Sequence, residues 1–195
     1  QRRKIMNEKV QVIFGLVGGL ALFLYGMNSM SDALQKAAGE KMKKVLGFLT
    51  KNPIMGALAG ALVTAVLQSS SATIAVLQNF ATQPVAADST VSVIGLAGAI
   101  PVLLGDNIGT TITAVLASIG QPRNAKRTAA AHCIFNVSGC FLFIWFIRPF
   151  AAFIQMISPK GPEVEVISRQ IANAHTTFNI VMTLIWTPLL FVMVK

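Results

Sequence analysis

Apolar positions along this chain come in long blocks, not in alternation. Between charged side chains lie uncharged windows at 10–31, 52–87, 89–105, 107–122, 128–147 and 170–194, of 22, 36, 17, 16, 20 and 25 residues. A helix that crosses the hydrocarbon core of a bilayer needs about 20 mostly apolar residues. The windows therefore predict an all-α, polytopic membrane protein with a single transmembrane domain over 1–195. Residues 10–30 read as the first membrane helix, with Gly15, Gly18, Gly19 and Gly26 lining close-packed faces. In 31–51 the pattern changes: Leu34, Ala37, Ala38, Met42, Val45, Leu46 and Leu49 recur at helical spacing among five lysines. That predicts an amphipathic helix at the membrane interface.

The next two windows are interrupted. Asn52-Pro53 is a helix-start signal, and the apolar run after it breaks at Gln68-Ser69-Ser70-Ser71-Ala72-Thr73 before resuming. At 36 residues this window is too long for one span and short for two, so 53–83 predicts a re-entrant hairpin of two half-length helices. Residues 90–119 repeat the design: an apolar run reaches Gly105-Asp106-Asn107-Ile108-Gly109-Thr110-Thr111 and continues beyond it, which predicts a broken helix. Interrupted apolar segments of this kind point to the binding site of a transporter. Residues 125–150 and 169–194 predict ordinary membrane helices joined by a polar turn region at 158–168. They share the pattern A-H-x-x-F-N, at 131–136 and 174–179, a hint of internal duplication.

Composition sharpens the class. Of 195 residues 54% are hydrophobic and 12% charged, against about 25% charged in an ordinary soluble domain. The net charge of +9 raises the question of nucleic acid, but twelve of the sixteen basic residues sit in three short stretches, 2–9, 36–51 and 123–127. Basic residues at the ends of apolar segments are what lipid headgroups select, and no zinc-finger, RNA-binding or basic-zipper pattern accompanies them. Membrane lipid is the expected partner, and nucleic acid is not. Cys133 and Cys140, about 10.5 Å apart along a helix, are too distant for a disulfide and read as packing residues. Gln1-Arg2-Arg3-Lys4 before an apolar run imitates a signal peptide, but no cleavage pattern comes after it. Residues 10–27 read as a retained helix, and the chain as part of a longer one.

The chemistry concentrates at the two interruptions. Non-helical backbone at membrane depth must line protein or water, and a helix start carries partial positive charge suited to an anion. The hydroxyls of 69–73 surround one expected helix start. Asn107, Thr110 and Thr111 surround the other, with Gly105 and Gly109 permitting a turn. Hydroxyls, freed carbonyls and the amide oxygens of Gln68 and Asn107 suit a hard cation such as sodium. Asp106 either holds a cation or a proton, or caps a helix that starts at 108. His132 and His175, each one turn before an Asn, read as helix-to-helix hydrogen-bonding groups, and Arg148 before Pro149 snorkels to the headgroups. No catalytic constellation, phosphate loop or metal cluster is present in the sequence, so an enzyme is not expected and no cofactor is implied.

The two motifs together, Q-S-S-S-A-T at 68–73 and G-D-N-I-G-T-T at 105–111, resemble the sodium/phosphate cotransporter family of bacterial symporters and animal type II phosphate cotransporters. The run I-A-N-A-H-T-T-F-N at 171–179 is similar to the region between that family's repeats, and the resemblance extends over 12–190. It implies alternating-access symport of inorganic phosphate with sodium by two inverted repeats, in a bacterial inner membrane, with sodium as the coupling ion. Carried over by motif position, Gln68, Ser69, Ser70, Ser71, Thr73, Asn107, Thr110 and Thr111 line the substrate and sodium site. Sodium falls to Gln68, Ser69, Ser71, Asn107 and Thr110, with Asp106 as a further cation site. Asp106 stands where the family pattern has a small residue, and only one Q-S-S-S motif is present. Residues 170–194 resemble the first helix of a second repeat. Either a second repeat lies elsewhere in a longer chain, or two copies pair as an antiparallel homodimer. The competing readings are a dicarboxylate symporter and a membrane module that senses phosphate without transporting it.

Overall fold

The computed structural model describes residues 2–37 and 52–191. Its described residues form seven helices, and the chain divides into two compact units, Gln1–Gly39 and Glu40–Lys195.

The first unit is one helix, α1 (Arg2–Ala37), 36 residues long. No break separates 10–30 from 31–37. The helix runs on through Ala37, and the rest of the expected interfacial helix, 38–51, lies outside the described residues. A Cβ placed on Gly15, Gly18, Gly19 or Gly26 would meet nothing within 4 Å.

The second unit opens with α2 (Pro53–Leu67) and α3 (Ser70–Ala81). Asn52 caps α2, its side chain accepting from Ile54 N at 3.0 Å, and Pro53 fills the first position, where a missing N–H costs nothing. After α3 the chain makes a short loop, 82–94, whose edges pair at Pro84 and Ser92. Ser92 Oγ donates to Ala81 O (2.6 Å) and accepts from Gly95 N (3.1 Å), stitching the end of α3 to the start of α4 (Gly95–Ala117). Next come α5 (Arg123–Ile144), α6 (Ile147–Ile157) and α7 (Glu163–Trp186). Helix α7 begins inside the expected turn region, with Glu163 and Glu165 in its first turn, where negative charge suits the helix dipole. Glu163 Oε2 accepts from Ser92 N at 2.9 Å and so pins the loop to α7.

Helix α4 is the centre of this unit and packs against α2, α3, α5, α6 and α7. Leu96, Ala99, Ile100, Leu103 and Leu104 are all but inaccessible to solvent, as are Ile167, Ile171, Ala174, Phe178 and Met182 along one stripe of α7. Phe143 joins the far side of this core, its ring edge-to-face with Phe150 (4.8 Å) and with Phe178 (5.2 Å).

Two expected elements are corrected. Helix α4 is not broken at 105–111; it runs unbroken from Gly95 to Ala117. Gly105 and Gly109 serve close helix approach in place of a turn. A Cβ on Gly105 would lie 1.8 Å from Ala57 O, and one on Gly109 2.5 Å from Ala61 O; across the seam, a Cβ on Gly60 would lie 2.0 Å from Val102 O. Small residues that let two backbones touch are a recurrent means of helix association in membranes. The span expected over 125–150 is also divided, by a turn at Trp145-Phe146. Pro149 supplies the reason. In one continuous helix it would remove a hydrogen bond and clash with the preceding turn; with the break at 145–146 it falls in the first turn of α6, where it is tolerated. The new helix then buries Ile147, Phe150, Ala151 and Ile154 on one face.

Gly105→Leu should therefore destabilise the protein by about 1–3 kcal/mol, the usual cost of overpacking. Leu62→Ala, at an exposed position of α2, should cost far less. Thermal unfolding of the detergent-solubilised variants compares the two.

Candidate functional site at the break between two short helices

The site begins with two backbone residues. Helix α2 ends at Gln68, whose φ of 50° and ψ of 30° lie in the left-handed region and whose N–H bonds back to Thr64 O, at 2.7 Å. Gln68 is the sole non-glycine among the described residues with positive φ, a conformation that costs a side-chain-bearing residue energy and recurs at functional sites. Ser69 is extended and caps α3, its Oγ accepting from Ala72 N at 3.3 Å. Two helices thus meet end to start across two residues.

Over this break stands Asp106. It is completely buried in the middle of α4, which excludes the capping role, since no helix starts at 108. Thr64 Oγ1 from α2 donates to Asp106 Oδ1 at 2.7 Å, and Ser70 Oγ from α3 donates to Oδ2 at 2.5 Å. Both are in the range of strong, charge-assisted O–H···O bonds. Thr73 Oγ1 completes the cluster by donating to Thr64 Oγ1 at 2.9 Å, with Ser69 O at 3.2 Å as the alternative acceptor for the same proton. One carboxylate is therefore held by hydroxyls from both sides of the break.

The sequence motifs divide on this geometry. Ser69, Ser70 and Thr73 come together with Asp106, while Gln68 and Ser71 are solvent-exposed at the break. Asn107, Thr110 and Thr111 lie along the same stretch of α4 as Asp106 but turn back onto their own helix. Asn107 Nδ2 donates to Leu103 O (2.9 Å), Thr110 Oγ1 to Asp106 O (2.9 Å) and Thr111 Oγ1 to Ile108 O (2.7 Å). The expected second helix start, with free amides at 108–111, is absent because those amides belong to a continuous helix. The residue that sequence reasoning missed is Thr64, 1% exposed. Its signal was a lone hydroxyl in the run A-L-V-T-A-V-L, one turn before the break.

The repeated A-H-x-x-F-N pattern has a matching local geometry. Asn136 Nδ2 donates to His132 O at 3.0 Å, and Asn179 Nδ2 to His175 O at 2.9 Å. These bonds stay within one helix and use the histidines' main-chain carbonyls, so they do not bear on the helix-to-helix role expected of the imidazoles. The bond that does cross between the two helices is Trp186 Nε1 to Ser138 Oγ, 3.1 Å. Arg148 is exposed, and Cys140 is buried with Cys133 half-buried, both thiols free. Among the described residues no three His, Cys, Asp or Glu side chains gather as a metal site. The oxygen-rich break, with hydroxyls, carbonyls and one carboxylate, is hard-donor chemistry of the kind that suits group I and II cations.

Fold and site together define an all-helical protein in which α4 and α5 are long and apolar enough, by length and composition, to cross a membrane. Residues 22–158 match the family described as Na+/Pi-cotransporter, and the chain belongs to that family, whose members are membrane proteins. Similar proteins include the uncharacterized protein YqeW of Bacillus subtilis (strain 168), 37% identical over 132 residues, covering 68% of this chain and 38% of that protein. Sodium-dependent phosphate transport protein 2A of Rattus norvegicus is 30% identical over 133 residues, covering 62% of this chain and 19% of its own length. Sodium-dependent phosphate transport protein 2C of Homo sapiens is 39% identical over 99 residues, covering 49% and 15%. The chain thus spans well under half the length of these relatives. No solved structure matches it.

Removing the acid tests the cluster directly. Asp106→Ala leaves the Thr64 and Ser70 hydroxyls without their acceptor and should destabilise the protein by about 1.5–3 kcal/mol, the worth of hydrogen bonds to a charged group. Ser71→Ala, at an exposed position of the same break, should cost less than about 0.5 kcal/mol. Unfolding midpoints of the two variants provide the check.

Proposed function

We propose that this chain forms the sodium- and phosphate-binding half of an alternating-access symporter, driving inorganic phosphate across the cell membrane with the sodium gradient. The observation that carries the reading is the break at Gln68-Ser69, flanked by short apolar helices and backed by a buried carboxylate. At about 1.5 Å per residue, the 15 residues of α2 and the 12 of α3 reach about 22 and 18 Å. Both fall short of the roughly 30 Å of a hydrocarbon core, which favours a hairpin that enters the membrane and returns. Helix geometry leaves the Ser70 and Ser71 amides without intrahelical partners, and a helix start favours an anion. Phosphate meets these amides together with Gln68 and Ser71.

Sodium takes the oxygen side of the break, from Gln68, Ser69 and Ser71, with Asn107 and Thr110 from α4. Ser70, Thr73 and Thr111 border the same space, and Asp106 supplies negative charge behind it. Co-bound cations then neutralise the phosphate without a buried Lys or Arg, which is the physical basis for coupling. The opposite half of the pathway comes from a second repeat or from a second copy of the chain in antiparallel orientation.

Radiolabelled phosphate uptake into liposomes holding the purified chain tests this, together with phosphate binding in detergent. Inward sodium gradients should drive accumulation that choline does not, with no competition from succinate or glutamate. Gln68→Ala and Ser70→Ala should abolish uptake while leaving expression intact. Phosphate binding and flux that are the same in sodium and in choline overturn the reading.

A further inference from the structure

We infer that Thr64 is a positioning residue for the break, acting through Asp106 to set the geometry of the cation side of the site; the inference rests on the reading of that break as the binding site. Thr64 performs three tasks from one buried position. Its carbonyl accepts the Gln68 N–H at 2.7 Å and closes α2 in the left-handed turn. Its hydroxyl occupies Asp106 Oδ1 at 2.7 Å. The same oxygen lies 2.9 Å from Thr73 Oγ1, in the first turns of α3. Both ends of the break are therefore tied to one residue.

The consequence lies in how the two carboxylate oxygens are shared. Because Thr64 holds Oδ1, the carboxylate plane is fixed and Oδ2 faces Ser70 Oγ at 2.5 Å. The single Ser70 proton is spent on Asp106, so its oxygen can offer lone pairs outward, to a cation, but no donor to an anion. Without the Thr64 hydroxyl the carboxylate is free to rotate about its last torsion, which is soft and roughly two-fold, and Ser70 loses its fixed acceptor. Thr64 touches neither ion in this scheme. The seam is tight here: a Cβ on Gly109 would lie 2.7 Å from Thr64 Cβ, so Gly109 cannot be enlarged while Thr64 keeps its place.

Thr64→Val keeps the shape and removes the hydroxyl, and Thr64→Ser restores the hydroxyl. The first readout needs no transport: the rate at which a charged thiol reagent modifies S71C, in a Cys133→Ala, Cys140→Ala background. Thr64→Val should raise that rate about fivefold, the factor one ordinary hydrogen bond corresponds to, and Thr64→Ser should return it to the parent value. The second readout is the sodium concentration for half-maximal phosphate binding, which Thr64→Val should raise more than it raises the phosphate midpoint. An unchanged S71C rate in Thr64→Val overturns the inference. So does a raised rate that Thr64→Ser does not restore, which would mark a purely steric role. If the labelling changes as expected while the protein with Ser71 intact binds no phosphate in sodium, the positioning role stands and the transport reading fails.

Discussion

The close approach of α2 and α4 is the constraint on which the rest of this structure depends. Gly60 on one helix and Gly105 and Gly109 on the other leave no room for a Cβ between the two backbones. That contact brings Thr64 within hydrogen-bonding distance of Asp106 and carries α3, which starts two residues after α2 ends, close enough for Ser70 to reach the same acid. A larger residue in the seam would separate the carboxylate from both hydroxyls. Packing in α4 and polarity at the break are thus one design.

Burying a carboxylate with no counter-charge within hydrogen-bonding distance among the described residues is expensive unless its lone pairs are satisfied. Here two hydroxyls from different helices satisfy it, and each is lost if either helix shifts. The acid ties the hairpin to the central helix. Membership of the Na+/Pi-cotransporter family gives this arrangement its context. In the proposed symport reading, the oxygen-lined gap takes the cation and the helix-start amides take the oxyanion.

Much of this was legible in residue types and spacing. Asn52-Pro53 announces a helix start because a capping side chain and a proline at the first position satisfy local backbone needs whatever surrounds them. The interruption expected over 68–73 is narrower in the structure, Gln68 and Ser69 alone, with α3 already helical from Ser70. The motif at 105–111 was misread because Gly, Asn and Thr have two uses. In isolation they favour turns; against a facing helix, glycine admits a backbone neighbour and the polar side chains bond to their own turn. Only the presence of Ala57 and Ala61 opposite Gly105 and Gly109 decides which. Pro149 did carry the signal for the break at Trp145-Phe146, but its effect appears four residues upstream, at the carbonyl with which it would clash.

The sequence by itself determined the helical class, the segregation of charge into short stretches and a polar interruption within 68–73. All of these follow from side-chain hydropathy and local backbone chemistry within a few residues. Tertiary structure alone decided that α4 is continuous, that Thr64 belongs to the site and that Asp106 is held between two hydroxyls instead of capping a helix. Thr64 and Asp106 are 42 residues apart in the chain. Their meeting depends on the distance between two helix axes, and that distance is set by which small residues face each other across the seam.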